Sequence, residues 1–301
     1  MQKQVTGSAV RRDERLDEVL QLIRAKVSDP ASAQQLAAFV QAYFGQVDPE
    51  DLAERQPADL YGAALSHWNF ARKRAPGETK VRVYNPSIAE HGWQSTHTII
   101  EIVNDDMPFL VDTVTMEVNR NGLTLHLITH PLVRIRRDAQ GVLAEVGAED
   151  APRESFIHVE VDRVADSTQL EALAADVARV LGDVRASVAD WQAMQQRVLA
   201  IVAELEKQKL PVPAEELQED LAFLRWLADN HFTFLGYRSH ELRSEGGEDT
   251  LHAVSGSGLG ILRESGKDPA VSFAALPPQV RAQARLAQLL IITKSNSRSP
   301  G

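Results

Sequence analysis

The chain contains 301 residues, of which 44% are hydrophobic and 25% charged, with a net charge of −10 and no cysteine. Its length exceeds that of an average domain, so we expect two or more globular units. The lack of cysteine excludes disulfides, thiolate zinc sites and a cysteine nucleophile. Each half has 21 acidic against 16 basic residues, which argues against nucleic acid as a partner. No apolar run reaches the ~18 residues of a membrane span, and the amino end lacks a signal-peptide core, so we predict no membrane contact and a cytoplasmic location.

Residues 1–75 are predicted to form a helical region. Asp48-Pro49 followed by two acidic residues is a typical helix start. Residues 76–93 are assigned to a linker, in which Val81–Tyr84 is either a short strand or an extended segment. Two apolar stripes at helical spacing support the helical region: Leu16, Leu20, Ile23 and Val27, then Leu36, Phe39, Val40 and Tyr43.

Residues 94–190 begin with strand and helix signals in alternation. The β-branched run Ile99–Val103 predicts a buried strand, which Asn104-Asp105-Asp106 ends. Pro108 is tolerated in the first turn of the helix that follows, and Asn121-Gly122 ends this helix through a positive φ. The helix is predicted to pack onto the sheet through one apolar stripe: Phe109, Leu110, Val114 and Val118.

The rest of this segment repeats the alternation. Leu123–Ile135 is extended, and Phe156–Val161 alternates apolar and polar residues as a half-buried strand does. A capping box at Thr168 opens a second helix, which Gly182 is predicted to stop, and Val184–Val188 is predicted as the fourth strand. The predicted fold class is therefore α+β, with residues 94–190 as a ferredoxin-like βαββαβ domain whose two helices cover one face of an antiparallel sheet.

The remaining residues are divided into two further segments. Residues 191–230 are predicted as a helical connector with helices at Trp191–Lys209 and Glu215–Asn230. Residues 231–301 begin a second α/β unit, which we interpret as truncated because an apolar run is followed at once by a polar end. Its predicted elements are a strand at His231–Tyr237, a turn at Gly246-Gly247 and a helix at Gln279–Leu290.

The motif search predicts no catalytic residue, no cofactor-binding residue and no metal site. The glycines at 256, 258 and 260 lack the third glycine position of a dinucleotide fingerprint. His126 and His130 fall in one predicted strand, roughly 13 Å apart, too far to share an ion. His158-Val159-Glu160 matches part of a zinc deaminase motif, but that motif also needs paired cysteines. We interpret these histidines as structural, and Asp105-Asp106 as a turn that caps a helix.

Several segments resemble the amino-terminal region of the large bacterial NAD-specific glutamate dehydrogenases. The longest is HTIIEIVNDDMPFLVDTV at His97–Val114. The other matching segments follow in chain order and cover most of the chain: DLYGAALSHWNFA at Asp59–Ala71, VRVYNP at Val81–Pro86, HGW at His91–Trp93, FTFLGYR at Phe232–Arg238 and ITKSNSRS at Ile292–Ser299.

The resemblance implies ACT-type modules with helical connectors, and a catalytic domain far downstream. No cofactor is expected in this chain, whereas NAD belongs to the full-length parent enzyme, which oxidises glutamate. The chain is expected to be inactive alone, to form a homo-oligomer and to contact the missing catalytic region. In ACT modules the ligand, often an amino acid, lies at the loop between the first strand and first helix, which here comprises Asn104, Asp105, Asp106, Met107, Pro108, Phe109 and Leu110.

The loop is chemically suited to an amino acid. Backbone N–H groups at the helix start can bind a carboxylate, and Asn104, Asp105 or Asp106 can bind an ammonium group. Two functions stay open at this point: a non-catalytic regulatory and assembly region of a glutamate dehydrogenase, and a free-standing ACT-type protein that senses an amino acid. A reading frame that continues past Gly301 would decide for the first.

Overall fold

The computed structural model describes residues 2–45, 47–53, 55–209, 212–245, 248–263, 271–272 and 292. The chain divides into two compact units, the first ending at Leu181 and the second beginning at Gly182. Among the described residues, no helix combines the length and the hydrophobicity that crossing a membrane requires.

The first unit opens with a layer of helices, which confirms the helical prediction for this region. Asp29 caps the second helix by accepting a hydrogen bond from the Ser32 N–H at 2.8 Å, and Pro30 occupies its first turn. Phe39 packs between Tyr43 and the sheet residue Phe156, with ring centroids 5.1 Å apart in each case. These aromatic contacts join the helices to the sheet. The helices are α1 (Gln2–Lys26), α2 (Pro30–Phe44), α3 (Pro49–Ala53) and α4 (Pro57–Ala71).

The helical layer lies on an antiparallel sheet whose neighbouring strands are, in order, β1 (Lys80–Tyr84), β2 (Thr98–Asp105), β6 (Arg153–Val161), β4 (Leu132–Arg137) and β5 (Leu143–Val146). Strand β3 (Leu125–Thr129) also pairs with β6. The predicted extended segment Leu123–Ile135 is two strands, because Pro131 has no N–H for the ladder. The elements of this part are β1 (Lys80–Tyr84), α5 (Ile88–His91), β2 (Thr98–Asp105), α6 (Leu110–Arg120), β3 (Leu125–Thr129), β4 (Leu132–Arg137), β5 (Leu143–Val146), β6 (Arg153–Val161) and α7 (Ser167–Leu205).

The two faces of this sheet are covered by different helices. Val103 and Phe156 belong to the core shared with α1, α2 and α4. Side chains alternate along a strand, so Ile102 and Ile157, both fully buried, point to the opposite face. That face is covered by α6 and the start of α7, which are joined by an ion pair between Arg120 and Asp176. The prediction that both helices of the ACT-like domain cover one face is confirmed.

The predicted fourth strand at Val184–Val188 is wrong. These residues lie inside α7, which runs through Gly182 and includes most of the predicted helix Trp191–Lys209. A helical stripe of buried side chains continues through this region, and its burial outweighs the cost of about 1 kcal/mol for a glycine inside a helix. The stripe is Leu173, Val177, Leu181, Val184, Met194, Val198 and Val202.

The place of the missing strand is taken by β1. In a βαββαβ fold the last strand lies beside the first. Here β1 comes from the segment assigned to a linker, and it pairs with β2 from Lys80 opposite Val103 to Tyr84 opposite Ile99. Of the two readings of Val81–Tyr84, the short strand is therefore confirmed. The sheet is the predicted antiparallel one, but its outer strand precedes β2 in the chain.

The first helix of the domain starts later than predicted. It begins at Leu110, so Pro108 lies in the preceding turn and not in the helix. Leu110, Val114 and Val118 are fully buried, as predicted, whereas Phe109 is 47% exposed and does not pack on the sheet. The glycine stop is confirmed, since Gly122 has a φ of 71°.

The second unit contains the remainder of α7 and smaller elements. Its helical core consists of residues such as Val198, Leu221 and Leu224. The predicted strand His231–Tyr237 is wrong for most of its length, because His231 still belongs to the turn after α8 (Ala214–Trp226) and only Gly236–Tyr237 pairs as a strand. The predicted turn Gly246-Gly247 and helix Gln279–Leu290 lie outside the described residues. The elements are α8 (Ala214–Trp226), a π-helical turn (Leu227–His231), β7 (Gly236–Tyr237), β8 (His240–Glu245), β9 (Glu248–Ala253), β10 (Leu259–Gly260) and β11 (Val271–Ser272).

Candidate functional site

The loop between β2 and α6 contains an unusual backbone conformation. Phe109, the residue before α6, has φ 71° and ψ 3°, in the left-handed region that glycine tolerates and larger residues avoid. Its aromatic side chain is nevertheless about half exposed. A strained residue that presents an apolar ring to solvent at the amino end of a helix is a reason to examine this loop as a binding element.

Asp105 is committed to a structural ion pair. Its carboxylate accepts a hydrogen bond from Arg74, which is buried. Arg74 also lies 3.0 Å from Glu154, and Glu154 accepts two hydrogen bonds from Arg137, at 2.7 and 2.8 Å. This network of two carboxylates and two guanidinium groups holds Asp105 in place. Asp105 is therefore a poor candidate for binding an ammonium group.

Asp106 has a weaker and more accessible partner. Its carboxylate lies 3.2 Å from Arg153, whose side chain is 56% exposed. The Asp106 N–H also donates to the Arg153 carbonyl at 3.4 Å. An ion pair with one exposed partner and one half-buried partner contributes little to stability and can be separated by a ligand. A zwitterion can replace each partner, with its carboxylate at Arg153 and its ammonium group at Asp106.

The other predicted site residues divide between the core and the surface. Asn104 is buried and accepts a hydrogen bond from the Thr79 hydroxyl at 2.9 Å, so it cannot reach a ligand at the surface. Leu110 is also buried, whereas Met107 is half-buried and Pro108 is exposed. Of the seven predicted residues, the structure places residues 105–109 within reach of solvent, and Asp105 is the one of these already paired with a buried arginine.

The sheet face below α1–α4 carries a row of ionisable side chains that sequence analysis missed. Glu101, Glu154, His158 and Glu160 are all buried. Alternation in the segment Phe156–Val161 did predict that one side of β6 is polar, but it indicated a solvated side. The polar side instead lies below a second helical layer.

Glu160 shows how these buried charges are compensated. Arg55 donates two hydrogen bonds to its carboxylate, at 2.5 and 2.8 Å, and the Nδ1 atom of His97 lies 3.4 Å away. Burial alone would raise the pKa of Glu160, but hydrogen bonds from His158 and Arg55 outweigh burial and hold it well below its usual range. Arg55 thus connects the helical layer to β6.

His67 on α4 lies next to this row. The Tyr43 hydroxyl is 2.9 Å from its Nδ1 atom, and the Ile102 carbonyl is 3.2 Å from its Nε2 atom. Burial lowers the pKa of His67 to about 4, so the imidazole is neutral near pH 7. The carbonyl can only accept, so Nε2 carries the proton and the hydroxyl donates to Nδ1.

His126, His130 and His158, the histidines of the candidate metal motifs, lie in different surroundings. His126 lies 2.8 Å from Asp162, and His130 contacts the Ser155 hydroxyl. His158 Nε2 lies 3.4 Å from the Glu160 carboxylate. His126 and His130 therefore contact different groups.

A groove of about 420 Å³ lies in the second unit. The Arg197 guanidinium donates to the Tyr237 hydroxyl at 2.9 Å and also lies 3.5 Å from Glu204. The hydroxyls of Ser239 and Ser257 line the same groove, together with small residues of α7. One guanidinium group and three hydroxyls could bind a small anion, although Glu204 offsets part of the positive charge.

Comparison with known proteins points to one family. Residues 39–177, which include the loop and both faces of the sheet, match the family described as the ACT1 domain of glutamate dehydrogenase. The chain is 39% identical over 234 residues to the NAD-specific glutamate dehydrogenase of Pseudomonas aeruginosa and 42% identical over 241 residues to that of Halomonas elongata. Over about three quarters of its length the chain is therefore similar to NAD-specific glutamate dehydrogenases, and its residues 39–177 are similar to their ACT1 domain.

The matched part is a small fraction of these relatives. It covers 76% of this chain but 14% of the Pseudomonas protein, and 78% of this chain but 15% of the Halomonas protein. The NAD-specific glutamate dehydrogenase of Mycobacterium tuberculosis is 26% identical over 241 residues, again across 14% of its length. The chain thus spans about one-seventh of the length of the curated glutamate dehydrogenases it matches.

Proposed function

We propose that this chain is a non-catalytic regulatory and assembly region of an NAD-specific glutamate dehydrogenase and acts in the cytoplasm. Its match to an ACT1 domain is the observation that carries this proposal. The parent enzyme would oxidise L-glutamate to 2-oxoglutarate and ammonia with NAD, and NAD would bind outside this chain. This region would contribute contacts to other copies and to the catalytic region.

The proposal that glutamate oxidation takes place outside this chain has a direct test. The purified chain should form no NADH from glutamate and NAD above a buffer blank. Turnover that rises in proportion to the concentration of the chain would contradict the proposal.

We further propose that the accessible part of the β2–α6 loop binds an amino-acid effector. The exposed Arg153 and the half-buried Asp106 form a pair of opposite charges 3.2 Å apart, which matches the two charged groups of a zwitterion. Phe109 is half exposed beside them and can contact an apolar side chain. The amino end of α6 adds backbone N–H groups and a favourable dipole for the carboxylate.

A thermal-shift screen of the common amino acids tests the loop. An effector at ~100 times its Kd stabilises the folded protein by about 2.7 kcal/mol, which gives a measurable rise in Tm. Asp106→Asn should abolish this rise with little change in the Tm of the free protein. Asp150→Asn is the control, because Asp150 is a surface acid that is likewise paired with an arginine, Arg136, at 2.5 Å.

Each result has a distinct meaning. An effector that stabilises both variants as it does the wild type would exclude the loop and direct attention to the groove at Arg197. No shift with any amino acid would leave assembly as the role of the loop. Light scattering of the wild type and Phe109→Ser would then show whether the exposed ring contributes to oligomer contacts.

The alternative is a free-standing ACT-type protein that senses an amino acid. It shares the loop chemistry but needs no downstream catalytic region. The coding sequence decides between the two, since a reading frame continuing into a dehydrogenase domain would exclude the alternative.

A further inference from the structure

Three ionisable side chains from three elements meet between α4 and the sheet. They are His67 on α4, Glu101 on β2 and His158 on β6, and each is buried. A nitrogen of each histidine and a carboxylate oxygen of Glu101 all lie within 4.8 Å of one another. Two imidazoles and one carboxylate are a donor set that zinc uses in proteins.

His158 has the feature expected of a metal ligand. The side chain is only 6% exposed, and its Nδ1 atom is buried without a hydrogen-bond partner among the described residues. Its Nε2 atom lies 3.4 Å from the Glu160 carboxylate. Metal-binding histidines commonly donate their second nitrogen to a carboxylate, which orients the ring and leaves the first nitrogen for the ion.

His67 can also bind an ion through one ring nitrogen while the other nitrogen donates a hydrogen bond. Its Nε2 atom donates to the Ile102 carbonyl, so Nδ1 is the nitrogen that can bind an ion. The Tyr43 hydroxyl now donates to Nδ1 at 2.9 Å, and this bond would have to open.

Glu101 is held by two partners that differ in mobility. The Tyr84 hydroxyl donates to one carboxylate oxygen at 2.8 Å, and Arg82 pairs with the other. Arg82 is 31% exposed and has a second acceptor at 2.9 Å in the Ser66 hydroxyl. A cation could therefore replace Arg82 at Glu101 while Arg82 keeps its hydrogen bond to Ser66.

We propose that His67, Glu101 and His158 bind one divalent transition-metal ion, of which zinc is the best match to the donor set. The ion would connect α4 to both central strands and so fix the helical layer on the sheet. The proposal is independent of the amino-acid effector and of the parent enzyme's activity.

The test uses the whole chain after removal of metals with a chelator. Zinc should bind with a stoichiometry of one per chain, measured by calorimetry and elemental analysis. His158→Gln should weaken binding at least about a hundredfold, because a ligand is removed. His126→Gln is the control, since it removes a more exposed histidine of the same sheet, and it should bind zinc as the wild type does.

Cobalt gives a second readout that does not depend on a variant folding. Cobalt bound to the wild type should show the intense visible absorption of a low-coordinate site with imidazole ligands, and zinc should displace it. Weak absorption like that of hydrated cobalt would overturn the proposal. So would zinc binding that His158→Gln leaves unchanged while circular dichroism shows the variant to be folded.

Discussion

On one face of the sheet, α6 and α7 cover apolar residues such as Ile102 and Ile157, and Glu117 of α6 is buried beside its partner Arg120. On the other face, α1–α4 cover a row that includes Glu101, Glu154, His158 and Glu160. Both faces are buried, but they are stabilised differently. The apolar face gains from each buried side chain, whereas the polar face is stable only while each charge keeps its partner.

The largest expected effect is a charge placed in the apolar face. Val114→Asp should lower the free energy of unfolding by roughly 4 kcal/mol, because Val114 is fully buried and an aspartate there has no partner. Met116→Asp on the exposed side of the same helix should change it by less than about 0.5 kcal/mol. Urea denaturation measures both. Equal effects would show that α6 packs through a different face.

A smaller loss is expected when the polar face loses one partner. Glu154→Gln should cost about 3 kcal/mol, because Arg137 would lose its carboxylate partner and Arg74 would retain only Asp105. Glu145→Gln removes a carboxylate from an exposed pair with Arg136 and should cost less than about 0.5 kcal/mol. A Glu154 variant as stable as the Glu145 variant would mean that the buried network is not essential.

The loop that leads into the apolar face should respond in the opposite direction. Phe109→Gly should raise the free energy of unfolding by about 0.5–1 kcal/mol, because glycine adopts the left-handed conformation without a Cβ clash. The same change inside α6, Met116→Gly, should lower it by about 1 kcal/mol. If both substitutions destabilise the protein, Phe109 is not strained in solution.

The smallest effect concerns Asp162, the exposed carboxylate that follows the polar row of β6. Hydrogen bonds from Thr124, and then from His126, lower the pKa of Asp162 to about 2. A lowered acid pKa stabilises the fold above the unfolded value near 4, and this contribution is lost as the pH falls from about 4 to about 2. Carbon NMR titration should report the low pKa, and His126→Gln should raise it. A pKa near 4 in the wild type would exclude the hydrogen bonds.

Sequence patterns predicted the parts of the fold that depend on long apolar repeats. The β-branched run of β2, the stripe of α6 and the alternation in β6 each left one consistent reading. Val184–Val188 was misread because five residues satisfy both a strand period and a helix period, and only the longer stripe from Leu173 to Val202 identifies the helix. Val81–Tyr84 was too short to distinguish a strand from a linker.

The sequence predicted where the candidate site lies but not which arginines pair with its aspartates. A polar turn before a helix indicated the loop, and the loop does contain an accessible Asp106. The partners Arg74 and Arg153 come from distant parts of the sequence, so nothing local indicated that Asp105 is committed and Asp106 exchangeable. The buried row was hidden for the same reason, because the helices that cover it lie far from β6 in the chain.

The origin of β1 has a practical consequence for dissecting this protein. A fragment that starts at residue 94 would contain the whole predicted ACT-like domain but would lack Lys80–Tyr84. The backbone groups of β2 that now pair with β1 would then face solvent along a mostly apolar strand. Such strands pair with other molecules, so this fragment should aggregate, whereas one that begins ahead of β1 should keep that strand covered.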